Sequence, residues 1–245
     1  MVHGKQSGNQ RIVLSSYNIH RCYGRDGEHR PDRIRDVLRQ VDADIMALQE
    51  VETLDNQPGL LDYLCEDRPW QHIHGPTLER DDGKYGNAIL TSLPIESIRR
   101  IDISQGRREP RGALHVRLSH QNRPFDLMAT HLGLRPAERR AQAKRLLGEI
   151  QHGATRSNSS MFTVLMGDMN EWFMFGRPIR YIHRHFKSSR APATFPARFP
   201  LFALDRIWVD PSEILVNVKA INNPLTRRAS DHLPLVAELD SGGLQ

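Results

Sequence analysis

The chain has 245 residues, 38% of them apolar, enough for a proper core and too many for a disordered chain or a fibre. A membrane span needs about 18 consecutive apolar residues, and no stretch of the sequence approaches that. A net charge of +5 leaves nucleic acid, anionic lipid headgroups or small phosphates open as partners, beside solubility alone.

Met1 to Gln10 is polar and lacks the apolar run of a secretory signal, so a cytoplasmic protein is expected. The two cysteines, Cys22 and Cys65, show no CxxC spacing, which argues against a disulfide framework or a zinc site. No repeat or linker divides the chain. The expected organisation is a disordered tail over 1–10, one domain over 11–240 and a short tail over 241–245.

In chain order, short apolar runs predict strands at Arg11–Ile19, Ala43–Leu48, Tyr85–Thr91, Leu114–Leu118, Phe125–Thr130, Met161–Met166, Leu204–Val209 and Leu235–Leu239. Two helices interrupt them. Pro31–Val41 spaces Ile34, Val37, Leu38 and Val41 along one face, with Pro31 at the start, where its missing N–H does no harm. Pro136–Ile150 places Ala143, Leu146, Leu147 and Ile150 on one face, and Gly153 is expected to end it. Many strands with few helices predict packed sheets with helices outside.

Polar residues a core does not require stand at the strand ends: Asn18 and His20, Glu50, His131, Asp168 and Asn170, Asp205, and Asp231 with His232. Singly, each is usually a turn former, a helix cap or a hydrogen-bonded structural residue. Together they are the ingredients for hydrolysing a phosphate ester, a reaction in which positioning and charge stabilisation do most of the catalysis. A hard divalent cation needs one or two carboxylates and keeps several waters. Glu50 is the first ligand candidate, with Asn18 and Asp231 beside it. Asp168 and Asn170, two apart on one turn, can hold a water or a second metal. A histidine oriented by a carboxylate can act as general base or charged donor, and His232 with Asp205 fits that role.

Tyr17-Asn18-Ile19-His20, Leu48-Gln49-Glu50, Gly86 to Leu90, Thr130-His131-Leu132, Gly167-Asp168-Met169-Asn170, Leu204-Asp205-Arg206-Ile207 and Ser230-Asp231-His232 follow one another in a telling order. That order resembles the endonuclease/exonuclease/phosphatase superfamily, over roughly Ile12 to Leu239. The first block, and Thr194-Phe195-Pro196 ahead of Leu204, look most like small stand-alone bacterial metal-dependent hydrolases of that group. The resemblance implies an α/β (α+β) four-layer sandwich, two packed mixed β-sheets flanked by helices, with Mg2+ or Mn2+ as cofactor. It implies Asn18 and Glu50 at the first metal and Asp231 near it, and Asp168 and Asn170 holding the nucleophilic water or a second metal. It further implies His232 as catalytic histidine, Asp205 as its orienting carboxylate, and His131 as the second histidine, on the phosphate or leaving group. Asn87 and Arg111 are expected to touch phosphate or cleft, although an arginine in a Pro-Arg-Gly turn is commonly just solvated. In the pancreatic-type nucleases of the superfamily the second histidine pairs with a glutamate just before the strand that Tyr85 begins here. This chain has Gly83-Lys84 there, which leaves the partner of His131 open.

The stretch from Glu171 to Pro200 bears on substrate. It holds Trp172, Phe173, Phe175, Tyr181, Phe186, Phe195 and Phe199, interleaved with six basic residues against one acid. Aromatics stack on bases and arginines track phosphates, so nucleic acid ranks first as substrate. An anionic phospholipid or small soluble phosphate ester is the alternative, and plain burial of the aromatics is the structural one. The second basic run, Arg99 to Arg111, carries five arginines with few apolar partners. A binding module that keeps the fold without the chemistry is the rival from another class. All eight core positions a hydrolase needs are present, which counts against it.

Overall fold

The computed structural model describes residues 11–55, 59–156, 160–187 and 191–243, apart from the side chains of Arg80 and residues 153–156. Along the chain run β1 (Arg11–Asn18), α1 (Pro31–Val41), β2 (Ile45–Leu54), α2 (Leu60–Cys65), β3 (Gln71–Arg80), β4 (Gly83–Thr91), β5 (Ile95–Asp102) and β6 (Gly112–His120). Then follow β7 (Arg123–His131), α3 (Pro136–Arg156), β8 (Thr163–Asp168), α4 (Arg177–Ile182), β9 (Asp205–Asp210), β10 (Leu215–Ala220), α5 (Pro224–Ala229) and β11 (Leu235–Asp240).

One sheet has the order β10-β11-β1-β2-β4-β3 and the other β5-β6-β7-β8-β9. Each mixes parallel pairs (β1 with β2, β7 with β8) and antiparallel ones. The sheets pack face to face through Ile12, Leu14, Ile45, Ile89, Leu114, Leu127, Val164 and Ile207. On the outer face of the six-stranded sheet, Ile34, Val37 and Leu38 of α1 and Leu61 and Leu64 of α2 pack on Met46, Leu48 and Leu90. Ala143 and Leu146 of α3 and Ile179 and Ile182 of α4 cover Met128, Leu165 and Trp208 of the other. The result is the four-layer sandwich the resemblance implies, and a sheet apolar on both faces must be covered on both. No helix among the described residues is long and apolar enough to cross a membrane.

The structure departs from the sequence expectations in four places. Three strands lack the apolar run that announces the others: β3, β5 and β10, each at a sheet edge. An edge strand has one flank free and tolerates polar residues and proline, as β3 does with Pro76 at a register shift. Helix α3 runs on to Arg156, so Gly153 lies inside it and does not end it. A helix-interior glycine costs only about 1 kcal/mol against alanine, too little to stop a helix whose packing holds it. Residues 241–243 form a 3-10 turn with Ser241 buried, where a frayed tail is expected. The tail over 1–10, residues 244–245 and Arg190 lie outside the described residues. Finally, Gln49 and Glu50 sit within β2, which continues to Leu54, and not beyond its end.

Candidate active site

Alternation of side chains across a strand builds the site. Ile12 and Leu14 of β1 face the space between the sheets, and by the same period so does Asn18 at the strand's end. Phe125, Leu127 and Ala129 carry His131 to that side, and Val164 and Met166 carry Asp168. Asp205 shares the side of Ile207 and Val209. His131, Asp168 and Asp205 form one rung, with Asp168 opposite His131 on β7 and Asp205 on β9. Glu50 has the wrong parity for this side, because Met46 and Leu48 point to the outer helices. A β-bulge between Leu48 and Val51, with Glu50 at φ 55°, breaks the period and turns its carboxylate into the cleft. Gly167 permits the turn into Asp168: its φ is +145°, and a Cβ there would lie 1.8 Å from the Thr130 carbonyl oxygen.

The cleft encloses about 410 Å³, with Asn18, Glu50, His131, Asp168, Asn170, Asp231 and His232 on its wall. Arg111 is there too, buried rather than solvated. Asn87 is not brought to this wall. Its amide donates to the Gly112 carbonyl at 3.1 Å and ties β4 to β6.

Asp168 is the hub. Its Oδ1 accepts the Asn170 backbone N–H at 2.8 Å, and its Oδ2 accepts the Asn18 amide at 3.1 Å. The same Oδ2 stands 3.6 Å from Nε2 of His131 and 3.7 Å from Nε2 of His232. Behind His232, Nδ1 donates to Asp205 Oδ2 at 2.8 Å, and the Thr194 hydroxyl donates to that oxygen at 2.6 Å. Thr194 and Asp205 are both fully buried. In the sequence Thr194 stands out only as part of the Thr194-Phe195-Pro196 motif. Its role as the anchor of Asp205 appears with the tertiary contact. Arg21, Tyr85 and Glu109 also line the cleft and carried no sequence signal of their own, while Trp172 comes to it from the aromatic stretch.

The two histidines are driven apart electrostatically. Burial and the adjacent Arg111 guanidinium push His131 down to about 3, against the pull of Asp168. Burial would discharge His232 as well, but Asp205 and Asp168 outweigh it and push it up to about 10. Arg111 Nη1 lies 3.0 Å from His131 Nδ1. A guanidinium offers only donors, so Nδ1 must accept and the ring proton sits on Nε2. The Asn170 amide nitrogen, which donates to the Leu132 carbonyl, is 2.9 Å from that Nε2. Two N–H groups thus converge at one point of the wall, an arrangement that an acceptor oxygen from a substrate would relieve.

A divalent cation suits this donor set. Glu50, Asp168 and Asp231 bring three carboxylates to one cleft. Burial, then the charges of Asp231 and Asp168, raise the Glu50 carboxyl above its ordinary value against the Asn18 hydrogen bond. Hard oxygen donors under mutual repulsion are what Mg2+ or Mn2+ stabilises. Asn18 stands between two of these carboxylates. Its Oδ1 accepts the His20 N–H at 3.0 Å, so its amide N–H groups face Glu50 at 3.0 Å and Asp168. It links the Glu50 and Asp168 carboxylates. A second possible grouping is Asp168, Asp205 and His232, whose ligand atoms lie within 4.8 Å of one another. There the imidazole is already engaged by Asp205, which favours Glu50 and Asp231 as the cation's side of the cleft.

Comparison with known proteins agrees with this architecture. Residues 15–232 match the model of the Endonuclease/Exonuclease/phosphatase family. The uncharacterized protein YbhP of Escherichia coli (strain K12) is 31% identical over 230 residues, covering 84% of this chain and 87% of its own. Among solved structures, an endonuclease/exonuclease/phosphatase from Beutenbergia cavernae DSM 12333 superposes with a TM-score of 0.74 at 20% identity, over 96% of this chain and 72% of that one. The human Nocturnin catalytic domain with bound sulfate gives a TM-score of 0.73 at 21% identity, over 94% of both. At these identities the structural likenesses speak for the fold.

Proposed function

This chain belongs to the endonuclease/exonuclease/phosphatase family, and from that premise we propose that it hydrolyses a phosphodiester by in-line attack of an activated water. The observation that carries the reading is Asp168 Oδ2 standing between the Nε2 atoms of His131 and His232, at 3.6 and 3.7 Å.

In this reading Asp168, steadied by the amides of Asn18 and Asn170, orients the water and takes its proton. An imidazole held between Asp205 and Asp168 favours its charged form, so His232 donates to the phosphate oxygen on which charge grows. Asp205 and Thr194 act through His232 as positioning residues. His131, kept neutral with its proton on Nε2, donates to a second phosphate oxygen or to the leaving oxygen. Arg111 fixes that tautomer and adds a positive charge. Glu50 and Asp231 would hold Mg2+ or Mn2+, which supplies Lewis-acid neutralisation of the phosphate and lowers the pKa of a bound water.

Arg21 and Arg111 in the cleft suit a phosphodiester of either kind the sequence leaves open, a nucleic-acid strand or a phospholipid headgroup. The free, buried thiols of Cys22 and Cys65 support a reducing compartment, the cytoplasm, as its place of action.

The test is hydrolysis of bis(p-nitrophenyl) phosphate and its monoester with magnesium, manganese or EDTA, by wild type and His232→Ala. Metal-dependent turnover favouring the diester is expected, with a loss of about a hundredfold or more in the variant. Equal turnover by the two proteins would refute the reading.

A further inference from the structure

The aromatic and basic stretch after Asn170 does two different things. Phe186, Ile179 and Ile182 are buried beneath the second sheet. The rest stays outside: Phe173, Met174, Phe175, Phe199 and Leu201 are 66 to 80% exposed. Of the ten large apolar residues exposed among the described residues, seven belong to this group, with Trp172 and Leu134 completing it. The other three, Tyr23, Ile98 and Val216, lie elsewhere in the chain.

The seven gather at one rim of the cleft. Trp172 and Leu134 are on the cleft wall. Trp172 packs edge-on against Phe195 and Phe202 at 5.6 and 4.7 Å, which joins the loop bearing Phe199 and Leu201 to the loop bearing Phe173 to Phe175. A buried ion pair holds the remaining edge. Arg139 donates to Glu171 at 3.2 Å and to the Leu134 carbonyl at 2.6 Å, and Glu171 in turn accepts the Phe173 N–H at 3.2 Å. Gly176 lets that loop close, because a Cβ there would lie 2.3 Å from the Glu171 carboxyl carbon. The base of the rim is anchored while its tip is held in solvent.

The rim's own segments carry exposed charge of one sign. Arg135, Arg177, Arg180, Arg184 and Arg198 are exposed, and residues 134–137, 172–187 and 191–203 contain no acid at all. Exposed apolar side chains on segments that also carry exposed arginines, with Arg198 lying 5.2 Å over the Phe199 ring, beside a cleft suited to a phosphodiester, match an anionic bilayer. The apolar tip enters the interface and the guanidinium groups meet the headgroups. Nucleic acid fits this rim less well. Leu134, Met174 and Leu201 have no ring to stack on a base, and the most exposed rings, Phe173, Phe175 and Phe199, are not part of the cleft wall where a strand's phosphate would lie.

We propose that this rim docks the protein on anionic phospholipid bilayers and that the phosphodiester it cleaves is that of a phospholipid. The proposal rests on the phosphodiesterase reading above for its chemical half. Water adds to phosphorus, one ester P–O bond breaks, and the leaving alkoxide takes a proton, giving a phosphomonoester and an alcohol.

The test compares the full chain with the triple variant Phe173→Ser, Phe175→Ser, Leu201→Ser. Both are sedimented with vesicles of phosphatidylcholine alone or mixed with phosphatidylglycerol, and phosphomonoester release from the vesicles is followed. Wild type is expected to pellet with the anionic vesicles, and the variant at least about tenfold less. Lipid hydrolysis should fall in parallel, while both turn over bis(p-nitrophenyl) phosphate equally, which also shows that the variant is folded. Indifference of wild type to anionic vesicles, or equal partition of the two proteins, would overturn the proposal. So would weaker binding of a single-stranded oligonucleotide by the variant with vesicle binding unchanged, which would assign the rim to nucleic acid. Vesicle binding lost in the variant, with no hydrolysis of any ester by wild type, would uphold the docking surface and overturn the phosphodiesterase reading.

Discussion

Arg111 Nη1 lies 3.0 Å from His131 Nδ1, with both side chains buried, so the second histidine of the cleft is backed by a cation and not by a carboxylate. A carboxylate there would favour imidazolium and a general acid. The guanidinium favours a neutral ring that donates from Nε2. Where Gly83-Lys84 leaves no glutamate for His131, the residue at its Nδ1 is Arg111, just ahead of β6.

Replacing Arg111 with methionine should keep much of the packing while removing both the donor to Nδ1 and the positive charge. A loss of about 10- to 100-fold in kcat/KM is expected for a diester substrate. Long-range proton–nitrogen spectra should show His131 as the Nε2–H tautomer in wild type and as a mixture in the variant. A wild-type ring protonated on Nδ1 would contradict the assignment.

The Asp205→Asn substitution preserves shape and removes the charge that holds His232 protonated. Asp205 is fully buried and engages both Thr194 and His232, so the loss cannot be made good by solvent. We expect kcat to drop about a hundredfold, with KM little changed, and the His232 titration to move down from about 10. Thr194→Val should act in the same direction and more weakly. Unchanged kcat in Asp205→Asn would show that His232 needs no orienting partner.

Glu50 is held at φ 55° and under repulsion from Asp231 and Asp168. Without metal, Glu50→Gln should therefore melt at a higher temperature than wild type, because one of the crowded charges is gone. Adding Mg2+ should reverse the ranking. At 100 times the dissociation constant a bound ion contributes about 2.7 kcal/mol, several degrees of Tm in a chain of this size, and the variant should gain little of it. A variant that responds to Mg2+ as wild type does would remove Glu50 from the metal site.

Stability of the metal-free chain, measured in EDTA, should depend on the two histidines with opposite signs. Between about 3 and the ordinary 6.5, the unfolded chain protonates His131 and the folded chain does not. Its contribution is present above 6.5 and is lost as pH falls toward 3. His232 is raised to about 10, so its contribution is present below 6.5 and is lost as pH rises through 10. Tm plotted against pH should lose its acid slope in His131→Gln and its alkaline slope in His232→Gln. Slopes that stay as in wild type would show that the two rings are not held in these states.

Much of the fold was legible because most of the informative strands are central ones, the edge strand β9 being the exception. β1, β2, β7 and β8 are flanked by neighbours and covered on both faces, so they read as apolar runs. Edge strands β3, β5 and β10 carry no such burden, and their sequences hide them. The candidate residues Asn18, Glu50, His131, Asp168, Asn170, Asp231 and His232 do meet on one wall, with Asp205 behind it. Asn87 does not, since its place on the inner face of β4 is filled by a bond to Gly112. The basic run from Arg99 to Arg111 also dissolved on folding. Arg99 pairs with Glu149, Arg100 donates to the His74 carbonyl, and Arg111 turns inward to His131.

By itself the sequence determined the family, the layered class of fold, and which side of most strands each polar residue would take. Those follow from motif order and from a two-residue period, both of them local along the chain. Only the tertiary structure decided which charges meet: Arg111 against His131, Asp205 against His232, and both histidines against Asp168. It also decided that Glu50 enters the cleft through a bulge, and that the aromatic run divides, with Phe186 folded under the second sheet and Phe173, Phe175 and Phe199 left exposed. Such pairings depend on how two sheets stack and how distant loops are tied, and no local period encodes that.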